Sequence, residues 1–270
     1  MAGDEGEIMS EAFYLPDGEG YQSTPLTRGP WDNHFQHGGP PAALLTGAMA
    51  RWGADAASYA LTRVGIELLR PVPLARLTVA VHPERLGRSV HRLTATLSAE
   101  GVVVLTATGL RIRRTPLDLP SPPPVDPWPR PETLPRFTFP FFRHEVGYHQ
   151  AIELRIAHGQ WGQTPIGFWT RPLVPLVAGR TSHPIERVMI IADAQSGMGV
   201  PLNPEQYTFI NPDLTVYLER APLDGWLGFD IRSSANSQGS GLSQSAIRDS
   251  LGLLGRSAQS LVVRRRPSRV

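Results

Sequence analysis

Apolar positions follow two rhythms along the chain. In GPPAALLTGAMARW, Gly39–Trp52, the residues Leu45, Ala48, Met49 and Trp52 recur at i, i+3, i+4 and i+7, and the other faces are mostly small or apolar. That is a helix period with no polar face, so the spacing predicts a helix that other elements must wrap. The runs that follow, LTVAV, SVHRLTATLS and VVVLTATGLRIRR, are β-branched and are separated by the turn signals HPERLGR and AEG. They read as strands. The same succession returns later: SHPIERVMIIADAQSG predicts a helix over Pro184–Gly197, and WLGFDIRSS, SGLSQSAIRDS and RSAQSLVVRR predict strands.

The recurrence extends to the letters. GEGYQSTP (18–25) is echoed by HGQWGQTP (158–165), VGIELLRPVP (64–73) by LTVYLERAPL (214–223), and TATGLRIRR (106–114) by SAQSLVVRR (257–265). The offset drifts from about 140 to about 150 residues, with the elements in the same order, which is the mark of a duplication. Between the copies lies RTPLDLPSPPPVDPWPRPETLPRFTFP, Arg114–Pro140, too rich in proline for a helix or a central strand. The expected organisation is an α+β half over 1–114, an extended linker over 115–140 and a second α+β half over 141–270.

Composition narrows the chemistry. The 270 residues contain no Cys, and all 26 basic residues are Arg. Thiol nucleophiles, Cys-bound metals and lysine Schiff bases are thereby excluded. The net charge of +2 and the lack of a basic run interleaved with aromatics point away from nucleic acid, and RRRP near the C-terminus reads as a solvated tail. No apolar run reaches the ~18–20 residues of a membrane span. The acidic start MAGDEGEIMS is unlike a signal peptide, so a cytoplasmic protein is expected. His34/His37 and His144/His149 lack the partners of a metal set, so none is expected. GSGLS is not a nucleophile elbow.

HGGPPAALLTGAMAR and FINPDLTVYLERAP…GLSQSAIRDSLGLLGRSAQSLVV carry a resemblance. One helix wrapped by an antiparallel sheet, twice in one chain, resembles the double hotdog fold. The order of HGG, helix Asp, strand-entry Asp and final-strand Gln is similar to the acyl-CoA thioesterase II-like branch of the thioesterase superfamily. The resemblance spans almost the whole chain. It implies hydrolysis of a fatty acyl-CoA by an activated water, with no cofactor, since CoA arrives with the substrate, and it makes a homodimer the expected assembly. By motif, Asp193 is the helix acid and Gln259 the strand amide. The hydroxyl-bearing third member falls at position 211, two before Asp213, where this chain has Asn211 instead of the usual Thr. Alternatives are a hotdog enoyl or hydroxyacyl thioester hydratase and an acyl-CoA-binding protein without activity.

Three physical expectations accompany this reading. Pro40 and Pro41 remove two free N–H donors from the first helix entrance, which leaves Gly38 and Gly39 to polarise a substrate carbonyl. Asn33 and His37 would shape that entrance. Asp193, near a helix C-terminus and facing an apolar tunnel, should have a raised pKa. Because the first helix has Thr46 where an acid would stand and the second has SHPI instead of HGG, one composite site should form between the halves and its twin should be dead.

Overall fold

The computed structural model describes residues 12–120, 127–142, 144–199 and 201–266. The first half contains β1 (Tyr14–Asp17), β2 (Gly20–Ser23), α1 (Gly39–Arg51), β3 (Tyr59–Leu68), β4 (Arg76–Leu86), β5 (Val90–Ala99) and β6 (Val102–Arg113). The second contains β7 (Ile152–His158), β8 (Ile166–Pro172), α2 (Pro184–Ala192), α3 (Gln195–Gly199), β9 (Tyr207–Ile210), β10 (Asp213–Leu218), β11 (Leu227–Ala235), β12 (Ser240–Asp249) and β13 (Gly252–Arg265). The strands join in one sheet in the order β1-β2-β4-β5-β6-β3-β10-β13-β12-β11-β8-β7, with β9 beside β13.

That order reads the same from either end once each strand is exchanged for its repeat. The pseudo-twofold axis passes between β3 and β10, where Gly65 faces Thr215, flanked by the pairs Val64–Val216 and Ile66–Leu214. This is the double hotdog architecture the repeat predicts. Alternation drives it: β5 buries His91, Leu93, Ala95, Leu97 and Ala99 while the intervening residues face outward, the period-two pattern of a sheet with one covered face. The covered face wraps α1 and α2, which pack on each other. Gly39 makes that packing close, because a Cβ there would strike the Ile190 carbonyl.

Three local features differ from the sequence reading. The helix expected over Pro184–Gly197 breaks after Ala192 and resumes as α3. Phe139, inside the expected linker, is buried in the core, and Phe137 N–H donates to the Leu154 carbonyl at 2.8 Å. A run of four aromatics in PRFTFPFF outweighs its prolines. The basic run is not a free tail: Arg264 and Arg265 lie in β13 opposite β9, and Arg266 donates to the Pro204 carbonyl at 2.8 Å and lies over the Trp31 ring. Pro267, the last residue of RRRP, lies outside the described residues.

Candidate active site

The site lies where the end of α2 meets the start of α1. Helix α2 starts with a capping box: His183 Nδ1 accepts from Ile185 N–H, and Glu186 accepts from His183 N–H at 2.6 Å. An apolar, buried body follows, and Asp193 forms the C-cap. The N-terminal turn of α1 abuts that cap so closely that a Cβ on Gly38 would lie 2.8 Å from Asp193 Oδ2. The glycine admits the carboxylate, and the positive end of the α1 dipole faces it.

Around Asp193, whose side chain is only 5% exposed, three donors converge. Asn211 Nδ2 donates to Oδ1 at 2.8 Å and to the Asp213 carbonyl at 3.3 Å. His37 Nδ1 lies 3.0 Å from Oδ2. Gly39 N–H also bonds the carboxylate. The same His37 nitrogen is 3.2 Å from Gly39 N. A proton on Nδ1 reconciles these contacts, since His37 and Gly39 then both donate to Asp193. The His37 ring is fixed by stacking on Tyr148 at 3.8 Å and 5°. Tyr148 OH donates to the Ile190 carbonyl at 2.8 Å. Burial, helped by the Asp193 charge, pushes the Tyr148 phenol well above its ordinary value.

The charge balance corrects the expected pKa. Burial is the largest influence on Asp193 and raises its pKa. The His37 charge and the hydrogen bonds from His37, Asn211 and Gly39 together outweigh it, so the carboxyl sits below its ordinary value. The C-terminal dipole of α2 taken alone would raise the Asp193 pKa. The opposing end of α1 and a side chain from the other half reverse the sign of that shift.

Gln259 approaches from β13. Its Nε2 donates to the Asp193 backbone carbonyl at 3.2 Å, and its buried Oε1 has no protein partner. Gly38 lines a cavity of about 430 Å³ together with His37, Asp193, Asn211 and Ser196. Gly39 is placed differently from the expected carbonyl donor: it is buried against α2, and its N–H is turned to the Asp193 carboxylate. Asn33 is exposed, with its backbone carbonyl bound to Arg28, and it borders a neighbouring groove. Trp31, Phe35, Phe139, Phe141, Phe142 and Phe209 add an aromatic wall to the cavity. Tyr148 and this wall were not found from the sequence. The only signal for the wall was the density of Phe after the prolines, and nothing in the spacing pointed to Tyr148.

The sequence pattern of the acyl-CoA thioesterase N-terminal domain matches residues 27–112, and that of the acyl-CoA thioesterase C-terminal domain matches residues 121–263. The chain belongs to the acyl-CoA thioesterase family. Similar solved structures include a hot dog protein of unknown function from Alicyclobacillus acidocaldarius (TM-score 0.72, 19% identity, covering 95% of this chain and 97% of that one). A provisionally assigned thioesterase from Novosphingobium aromaticivorans has a TM-score of 0.70 and 21% identity over 93% and 98%. An acyl-CoA thioesterase II from Mycobacterium marinum has a TM-score of 0.65 and 18% identity over 93% and 95%. At these identities the likeness shows the fold. Among curated proteins none matches the sequence significantly. No helix among the described residues of this thioesterase-family chain is long and apolar enough to cross a membrane.

Proposed function

We propose that the protein hydrolyses acyl-CoA thioesters with Asp193 as the base for water. The observation that carries this is a buried carboxylate on the wall of a largely apolar cavity with one aromatic side, held by Asn211 at 2.8 Å and His37 at 3.0 Å. The carboxyl is ionised at neutral pH, as a base must be; its lowered pKa makes it a weaker base than a raised one, so its effect rests on holding water against the thioester carbon. Water bound between Asp193 and the free Oε1 of Gln259 gives up a proton to Asp193 as its oxygen attacks the thioester carbon. The C–S bond then breaks, CoA leaves as the thiolate and takes the proton, and the free acid remains. Gly38, at the cavity wall beside the positive end of α1, is the backbone donor for the oxyanion. Residues of both halves meet here, His37 and Gly38 from the first, Asp193, Asn211 and Gln259 from the second.

One observation favours a second reading, an acyl-CoA-binding protein without turnover: both oxygens of Asp193 already hold hydrogen bonds within the protein. Incubation with acyl-CoAs of varied length and a thiol reagent separates the two. Free CoA released at a steady rate supports hydrolysis. Tight binding of acyl-CoA without release refutes it.

A further inference from the structure

The break between α2 and α3 is held from the sheet by side chains that the reaction leaves unused. Gln195, two residues past Asp193, is fully buried. Its Oε1 accepts from Ser257 Oγ at 2.6 Å, and its Nε2 donates to the Ser243 carbonyl at 3.0 Å. Behind it, the hydroxyls of Ser245 and Ser257 lie 2.6 Å apart, and Ser233 Oγ donates to Ser243 Oγ at 2.8 Å. By register, Ser243, Ser245 and Ser257 correspond to Leu93, Ala95 and Ala107 of the first half. The polar belt is therefore peculiar to the half that carries the acid.

Buried polar groups are costly unless paired, so such a belt tolerates few geometries. It fixes Gln195 to β12 and β13 at once. Gln259, on the same β13, holds the Asp193 carbonyl. The two glutamines thus hold the chain at Asp193 itself and two residues beyond it. Ala194, Ser196 and Gly197, which flank Gln195, line the cavity, so a shift of this segment would move the wall and the carboxylate together.

We infer that Gln195 is a positioning residue: through its bonds to β12 and β13 it keeps Asp193 within reach of Asn211 and His37. This rests on the reading of Asp193 as the base. The test is Gln195→Leu, which keeps the volume and removes both bonds. Misplacement of a reacting group lowers the chemical step, so kcat should fall about tenfold with KM changed less than about twofold. In the Asp193→Asn background, Gln195→Leu should cost nothing further. Ser257→Ala, which deletes one of the two bonds to Gln195 together with the Ser245 contact, should shift kcat in the same direction by less.

A second readout does not depend on turnover. The titratable groups facing Asp193 are His37 and Tyr148. Carbon-13 titration of the Asp193 carboxyl should give a midpoint below the ordinary range in the natural protein, and a higher one in Gln195→Leu. An equal kcat loss in both backgrounds, or an unmoved midpoint, overturns the positioning role. If Asp193→Asn itself keeps full turnover, the base assignment fails instead, and the titration still decides whether Gln195 places that carboxylate.

Discussion

Where α2 ends, the start of α1 meets it; where α1 ends, the start of α2 meets it. The pseudo-twofold axis makes these junctions equivalent, and each holds a buried carboxylate. At the first, Asp193 is bound by an imidazole, an amide and a backbone N–H beside the cavity. At the second, Glu186 is fully buried and gripped by Arg51 at 2.6 and 3.0 Å, by Arg180 at 2.9 Å and by His183 N–H. The strand positions diverge as well. Counting from the Gly65–Thr215 row, Asn211 corresponds to Leu61 and Gln259 to Gly109, over which Met49 packs. Thr46 turns its hydroxyl back to the Ala42 carbonyl of its own helix. Burial of an acid alone is therefore not what makes a site. Two guanidinium groups neutralise Glu186 into a structural clamp, whereas the partners of Asp193 leave it facing a space that a substrate could enter.

Breaking the first junction should have the largest effect. Asp193→Asn should leave the circular dichroism unchanged and lower the rate of CoA release by roughly 10²–10⁴-fold, the scale for losing a positioned base. Breaking the second should act on stability instead. Glu186→Gln leaves Arg51 and Arg180 without their counter-charge. Losing a fully buried pair costs ~3–5 kcal/mol. Because both guanidinium groups are about a third exposed, about 2 kcal/mol is expected here, read as a lower urea midpoint with turnover per folded molecule intact.

The pH dependence sharpens the contrast. The Asp193 pKa is lowered by folding, so its contribution to stability is complete above the unfolded value near ~4 and disappears as pH falls through the lower folded value. Urea unfolding across pH 3–7 should show Asp193→Asn less stable than the natural protein at pH 7, with the gap closing towards pH 3. A gap that grows in acid would mean the opposite sign of shift. The smallest effect belongs to Asn211→Thr. A threonine hydroxyl can replace one of the two hydrogen bonds of the amide, so turnover should stay within about threefold, and Asn211→Ala should lose more, about tenfold.

Much of this was legible in the chain before any coordinates. Matching runs such as TATGLRIRR and SAQSLVVRR carry the duplication, because strand period and turn residues are local properties. The location of Asp193 followed from a helix period and a family pattern. What stayed hidden depends on contacts between the halves. The lowered pKa of Asp193 arises from His37, 156 positions earlier in the chain by subtraction of their numbers. Tyr148 matters only because folding stacks it on that ring. Gly39 looked like an open donor at a helix mouth, and its burial became visible only once α2 lay across it. Gln195 reads as the continuation of a helix, but the helix breaks just before it, at Asp193 and Ala194, and restarts with the Gln195 amide turned into the sheet.

The most direct test puts both junctions in one assay: steady-state CoA release by the natural protein, Asp193→Asn and Glu186→Gln, each normalised to folded protein. The account predicts loss of turnover in Asp193→Asn alone, with Glu186→Gln at the natural rate. Equal activity in all three, or loss confined to Glu186→Gln, would contradict it.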